Sequence, residues 1–178
     1  TELDGHPDNV AASLLGGLVV SAMEGNRVHT IKLDCGPKLR VVVAIPNFPL
    51  STKQARSVLP QTVQFADAIY NVSRSSLLVA AIATGNLDLL SFAMGDRLHQ
   101  PYRAPLIPGF NEVAEAAMDA GALSVALSGA GPSIAAYCTT STQEVAVQMR
   151  GAFARHRISC DVKVLSIDST GATLQISE

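Results

Sequence analysis

Two short apolar runs, Leu123–Leu127 and Ile134–Cys138, read as a strand and its partner across the loop Ser128-Gly129-Ala130-Gly131-Pro132-Ser133. The segments around this pair set the fold class. Ahead of it, Phe110, Val113, Ala114, Ala117 and Met118 fall at i, i+3, i+4, i+7 and i+8, the stripe of an amphipathic helix that Gly121 stops. After it, Ser141 with Glu144 has the form of a capping box for a helix running to about His156. Asp161–Ile167 and Thr173–Ile176 complete the chain as strands.

Upstream, Leu39–Ile45 is an unbroken apolar run, the pattern of a strand buried on both faces. A helical region follows. Ser51 or Thr52 caps a short helix ending near Pro60, Gln61–Ala83 supports a long helix and Leu87–Met94 another. From residue 38 the order is therefore strand, several helices, strand, strand, helix, strand. That predicts an α+β two-layer sandwich with a mostly antiparallel sheet and helices on one face. Before it, residues 8–15 form a short helix, and Leu18–Met23 and Val28–Leu33 pair as a hairpin about Glu24-Gly25-Asn26. Cys35-Gly36-Pro37 is the boundary between the two parts.

Composition narrows the function. Hydrophobic residues make up 48% of 178, so the chain folds around a core. A net charge of −2 with no Lys/Arg cluster argues against nucleic acid or an anionic membrane as a partner. The longest apolar runs are too short to cross a bilayer, and no charged leader precedes an apolar core. Cys35, Cys138 and Cys160 are widely spaced and read as buried free thiols of a reducing compartment, so a cytoplasmic setting is expected. No cysteine–histidine cluster has structural-zinc spacing.

Three segments carry groups capable of chemistry. Asp4-Gly5-His6-Pro7-Asp8-Asn9-Val10 crowds His6, Asp8 and Asn9 onto a turn at a helix start. The simpler reading is a helix cap; the crowding of proton-exchanging and hydrogen-bonding groups favours a site. Its place almost at the first residue suggests the carboxy-terminal part of a longer enzyme, since active-site residues need scaffold on both sides. The Ser128–Ser133 loop is either a tight connection or a ligand loop whose glycines let amides approach an anion. The third segment, Asp96-Arg97-Leu98-His99-Gln100-Pro101-Tyr102-Arg103, is a polar, proline-containing connection longer than packing needs. Arg103 offers a planar fork to a carboxylate, and Arg56 could supply a second. His29 and His156 read as surface residues.

Taken together, Gly5-His6-Pro7-Asp8-Asn9-Val10 with Leu14-Leu15-Gly16-Gly17, then Leu98-His99-Gln100-Pro101-Tyr102-Arg103, then Gly129-Ala130-Gly131-Pro132-Ser133, resemble the homoserine kinases. These belong to the superfamily of galactokinase, homoserine kinase, mevalonate kinase and phosphomevalonate kinase. The resemblance covers essentially the whole chain. It implies the tail of an S5-like domain over residues 1–34 and a ferredoxin-like α+β kinase domain over 35–178. It implies transfer of the γ-phosphoryl group of ATP to the side-chain hydroxyl of L-homoserine, in threonine biosynthesis. His6 and Asn9 would contact the amino acid near that hydroxyl, and Arg56 and Arg103 would hold its carboxylate. Asp8 would position rather than abstract a proton. Gly129, Ala130, Gly131 and Ser133 would lie by the phosphates.

The family's ATP-phosphate loop and the acidic residue that holds Mg2+ have no match in this sequence. ATP and Mg2+ are therefore expected only in the intact enzyme, with neither bound tightly by this chain, no metal ligand within it and no activity alone. A homodimer is compatible with the resemblance. The competing readings are a kinase of another small alcohol such as mevalonate, and a non-catalytic amino-acid-binding module.

Overall fold

The computed structural model describes residues 7–36 and 38–175. The chain divides into two compact units, one holding residues up to Lys38 together with those from Ser166, the other Leu39–Leu165.

In the first unit, helix α1 spans Asp8–Leu15 and ends at Gly16, whose φ of 66° suits a residue without a side chain. Pro7 occupies the N-cap position and no side chain caps the helix, so Asp8 and Asn9 lie in its first turn rather than ahead of it. Strands β1 (Leu18–Glu24) and β2 (Arg27–Leu33) pair antiparallel from Leu18 opposite Leu33 to Glu24 opposite Arg27. The chain beyond Ser166 joins this unit. Gly17 N–H donates to Asp168 O at 2.6 Å, Ala172 N–H to Leu14 O at 3.1 Å, and Lys32 Nζ to Leu15 O at 2.6 Å. A methyl on Gly16 would lie 2.6 Å from Gly171 N, so the contact requires glycine. Thr173–Ile176 was expected as a closing strand; residues 173–175 are irregular, and residue 176 lies outside the described residues.

The second unit is built on a four-stranded sheet of β3 (Arg40–Pro46), β4 (Ser124–Leu127), β5 (Ile134–Cys138) and β6 (Cys160–Ser166), in the order β4-β5-β3-β6. β5 runs antiparallel to both neighbours, with Ala136 opposite Val42 and Val125, and Ile134 opposite Ala44 and Leu127. Helices α2 (Thr52–Ser57), α3 (Phe65–Thr84), α4 (Leu90–Ala93), α5 (Gln100–Arg103) and α6 (Phe110–Asp119) come between β3 and β4, with α7 (Thr142–Arg155) between β5 and β6. This is the α+β sandwich that the order of apolar runs predicted, in the ferredoxin-like form that the family resemblance implied.

Periodicity explains the core. α7 turns Val145, Ala146, Met149, Ala152 and Phe153 inward at helical spacing, and α6 turns Val113 and Ala117. They meet Val42, Ala44, Leu127, Ile134, Ala136 and Cys138 of the sheet. β3 alternates, contrary to the expected burial on both faces. Val42 and Ala44 are sealed, whereas Ile45 between Ala44 and Pro46 is 37% exposed. Hydropathy could not separate the two faces because both carry apolar side chains.

Two termini differ from expectation. The long helix begins at Phe65, four residues after Gln61. Ser141 stands at the N-cap of α7 but takes φ 57°, and its side chain accepts no capping bond from the helix among the described residues, while Glu144 accepts from Gln148 one turn on at 2.7 Å. The capping box is realised instead at α2, where Ser51 Oγ accepts from Gln54 N–H at 3.1 Å and Gln54 Oε1 accepts from Ser51 N–H. All three cysteines are free thiols, Cys35 and Cys138 buried and Cys160 half-buried.

The packing sets a contrast in stability. Phe153→Ala should cost about 3–5 kcal/mol, the usual cost of emptying a sealed aromatic site, whereas Ile45→Ala should cost less than about 1.5 kcal/mol because that side chain is part-solvated already. Urea unfolding midpoints of the two variants check the ordering.

Candidate active site

The candidate residues fall in both units. Asp8 and Asn9 belong to the first and are exposed at the start of α1. Asp8 Oδ1 accepts the Asn9 backbone N–H at 2.9 Å, which holds the carboxylate against its own turn. His6 lies outside the described residues.

In the second unit the segment after α4 is organised by a side chain that the motif reading did not single out. Asp96 Oδ1 accepts Leu98 N–H at 2.9 Å and Asn71 Nδ2 at 2.6 Å. Its Oδ2 accepts His99 N–H at 3.1 Å and Gln100 N–H. One carboxylate thus satisfies three successive backbone donors at the start of α5, which no intrahelical carbonyl can reach. Burial pushes the Asp96 carboxyl upward, but bonds from Gln100, Asn71 and Leu98 and the nearby His99 outweigh it, leaving the pKa below its ordinary 3.8. Asn71, on α3, also accepts Arg97 N–H at 2.9 Å, so its amide grips the segment from both ends. Arg97 pairs with Asp67 at 3.1 Å and lies over the Tyr70 ring.

Once α5 is started, its side chains reach two neighbours. Gln100 Oε1 accepts Leu127 N–H at 2.8 Å, at the end of β4 just before the glycine loop. Arg103 donates from Nε to Ala55 O at 3.1 Å and from Nη1 to Gly129 O at 3.3 Å. The first bond sets the guanidinium against the backbone of the residue preceding Arg56, on α2. The second ties it to the loop. Arg103, α2 and Gly129 are thereby brought together, although 48 and 26 residues separate the bonded pairs. Arg56 is exposed in the last turn of α2.

The loop closes on itself, with Ser128 N–H donating to Ser133 O at 2.9 Å and Gly131 N–H to Ser128 O at 3.1 Å. Gly129 (φ 60°) and Gly131 (φ 86°) adopt the left-handed region that permits this path. A methyl on Gly131 would also meet Ile107 at 3.0 Å. Gly129 has open space where a side chain would stand, while Ala130 and Ser133 are half-buried.

His99 shares the α5 turn. Burial depresses its pKa from 6.5, with Arg103 adding to the effect and Asp96 opposing it. The ring is therefore neutral at pH 7. Its Nδ1 is buried without a hydrogen-bond partner among the described residues, and its Nε2 is 3.7 Å from Asp96 Oδ2. Asp96 had a legible signal: an aspartate two to four residues ahead of the donors it caps, just before Pro101. The reach of Gln100 and Arg103 had none, because neither Leu127 nor Ala55 is identifiable as a partner from sequence.

Residues 78–155 match the family described as GHMP kinases C terminal. The chain is 52% identical over 174 residues to the homoserine kinase of Moorella thermoacetica, spanning 98% of this chain and 59% of that relative. The crystal structure of homoserine kinase from Cytophaga hutchinsonii superposes with a TM-score of 0.89 at 34% identity, over 93% of this chain and 53% of its own. L. major mevalonate kinase in complex with R-mevalonate aligns with a TM-score of 0.68 at 17% identity, a likeness of fold alone. The chain spans less than two thirds of the length of each of these relatives.

Asp96→Ala leaves three backbone donors without their acceptor and should lower stability by about 1–2 kcal/mol at pH 7, as loss of a helix cap does. Urea unfolding at pH 7 measures this.

A pH dependence follows from His99. The unfolded chain takes up a proton near pH 6.5 while the folded chain resists until lower pH, so between these values the unfolded state binds more protons. Its contribution is complete above pH 6.5 and declines as the pH falls toward the depressed folded value. Unfolding midpoints from pH 7.5 to 4.5 should therefore fall more steeply in the native protein than in His99→Gln.

Proposed function

We propose that this chain supplies the carboxy-terminal part of an ATP-dependent homoserine kinase, forming O-phospho-L-homoserine for threonine biosynthesis. The observation that carries this reading is the Arg103 guanidinium, held by backbone carbonyls of α2 and of the glycine loop. A fork fixed at two points is preorganised, and its remaining N–H donors can meet a carboxylate without ordering a mobile side chain first. The identities of 52% and 34% to homoserine kinases support the choice of substrate.

In this reading Arg103 and Arg56 hold the α-carboxylate of homoserine. His6 and Asn9 stand by the side-chain hydroxyl, and Gly129, Ala130, Gly131 and Ser133 lie beside the transferred phosphate. The hydroxyl oxygen bonds to the γ-phosphorus, the bond from that phosphorus to the bridging oxygen of ADP breaks with its electron pair going to ADP, and the hydroxyl proton passes to water. So loose a transition state runs on alignment and charge neutralisation. Asp8, bound to its own turn through Asn9 N–H, positions that turn. ATP carries the reaction's magnesium. Among the described residues no cluster of three or more histidine, cysteine, aspartate and glutamate side chains could hold a metal ion, so no residue here is assigned to it.

Among the described residues, no helix is long and apolar enough to cross a membrane. We place the enzyme in the cytoplasm, with residues 1–34 as the tail of an S5-like domain and 35–178 as the kinase domain.

In an enzyme that includes the remaining length of its relatives, Arg103→Ala should raise the KM for homoserine by about 10- to 100-fold, the range set by losing a charged hydrogen-bond partner. An unchanged KM in both Arg103→Ala and Arg56→Ala rejects the clamp, and preferred turnover of mevalonate rejects the substrate. Asn9→Ala should lower kcat strongly while Asp8→Asn retains substantial activity; a loss in Asp8→Asn beyond the usual ~10²–10⁴ of acid–base catalysis would make Asp8 essential to proton transfer.

A further inference from the structure

Helix α1 carries Asp8 and Asn9 in its first turn, yet little apolar packing holds it among the described residues. Ala11 is the one residue within it that is buried, and Leu14 and Leu15 are exposed. So short a helix does not persist on propagation alone. Its placement depends on other contacts.

Those contacts are at its far end. The carbonyls that close a helix have no intrahelical partner, and two of them are taken by segments distant in sequence. Leu14 O accepts Ala172 N–H at 3.1 Å, and Leu15 O accepts Lys32 Nζ of β2 at 2.6 Å. The same ammonium donates to Ser169 O, so one cation joins β2, the helix end and the chain beyond β6. A cation there also meets the negative end of the helix dipole. Just past the helix, Gly17 N–H donates to Asp168 O, while the Asp168 carboxylate accepts Thr170 N–H at 2.8 Å and shapes the turn.

Two glycines let the backbones touch. Gly171 takes φ 77°, and a methyl there would fall on Leu14 O and lie 2.6 Å from Leu15 C. A methyl on Gly16 would meet Gly171 N and Asp168 O in turn. Residues 168–172 therefore form a strap laid backbone to backbone over the end of α1. Asn9 stands about 9 Å along the axis from Leu15 at the usual rise of a helix. Displacement of the strapped end is thus carried to the first turn.

We propose that Gly171 and Lys32 are positioning residues for phosphoryl transfer, fixing through α1 the place of Asn9 beside the substrate hydroxyl. The inference rests on the role proposed for Asn9.

The test uses an enzyme that includes the remaining length of its relatives. Gly171→Ala should lower kcat about 10- to 100-fold and leave the homoserine KM within about three-fold, because slight misplacement costs rate while Arg56 and Arg103 still hold the carboxylate. Lys32→Met keeps the aliphatic stem and removes the donors. It should lower kcat several-fold with the same split, and it carries the test if Gly171→Ala does not fold. Leu174→Ala, at an exposed position of the same segment, should leave kcat unchanged. Amide hydrogen exchange over residues 8–15 should quicken in both strap variants, a readout that needs no substrate. In an Asn9→Ala background, either strap variant should add almost nothing to the loss of kcat, since both act through one residue. Unchanged exchange in both variants overturns the strap. Native kcat in both, or the same proportional loss with and without Asn9, overturns the positioning role. Unchanged kcat in Asn9→Ala itself rejects the role given to Asn9, and the inference falls with it even where exchange has quickened.

Discussion

The ionised carboxylate of Asp96 is the interaction on which the candidate site in the second unit depends. Three consecutive backbone N–H groups converge on it, with the Asn71 amide of α3 as a fourth donor. Four donors to one group make the charged form the stable one in spite of burial. The four-residue helix α5 is too short to persist on propagation alone. With its first turn satisfied, it projects Gln100 and Arg103 to defined partners: Gln100 holds the end of β4, while Arg103 spans α2 and the glycine loop. A chain of polar contacts thus runs from α3 to the loop without passing through the apolar core.

That core has a different task. The sheet order β4-β5-β3-β6 places β5, which follows the glycine loop, beside the central β3. Residues from α6 and α7 close over Val42, Ala44, Ile134 and Ala136. The loop therefore springs from strands that cannot shift without opening sealed contacts, and a side chain at Gly131 would be strained by its φ of 86° and would crowd Ile107. A rigid loop base and a cation tied to the loop's own carbonyl suit phosphoryl transfer, in which placement and charge carry much of the catalysis.

Much of this was legible in the residues. Strong periodicity located α6, α7, β4, β5 and the hairpin to within a residue or two, because amphipathic spacing is imposed by the same burial the structure shows. The α+β order and the family likeness of the Leu98–Arg103 and Gly129–Ser133 segments were readable as well. The misses have physical causes. The Ser141 cap was inferred from a pattern that α2 realises and α7 does not, since Ser141 has a left-handed backbone where a capping residue is normally extended. The β3 run was read as doubly buried because hydropathy is blind to which face a neighbour covers.

The sequence by itself determined the element types, the antiparallel pairing across the glycine loop and the chemical character of the candidate residues. These follow from local spacing and turn chemistry. Tertiary structure alone decided that Arg103 meets Ala55 and Gly129, and that Asp96 rather than a more conspicuous histidine organises α5. Such contacts join residues tens of positions apart, and their geometry is set by how helices and strands pack. No local pattern encodes that geometry.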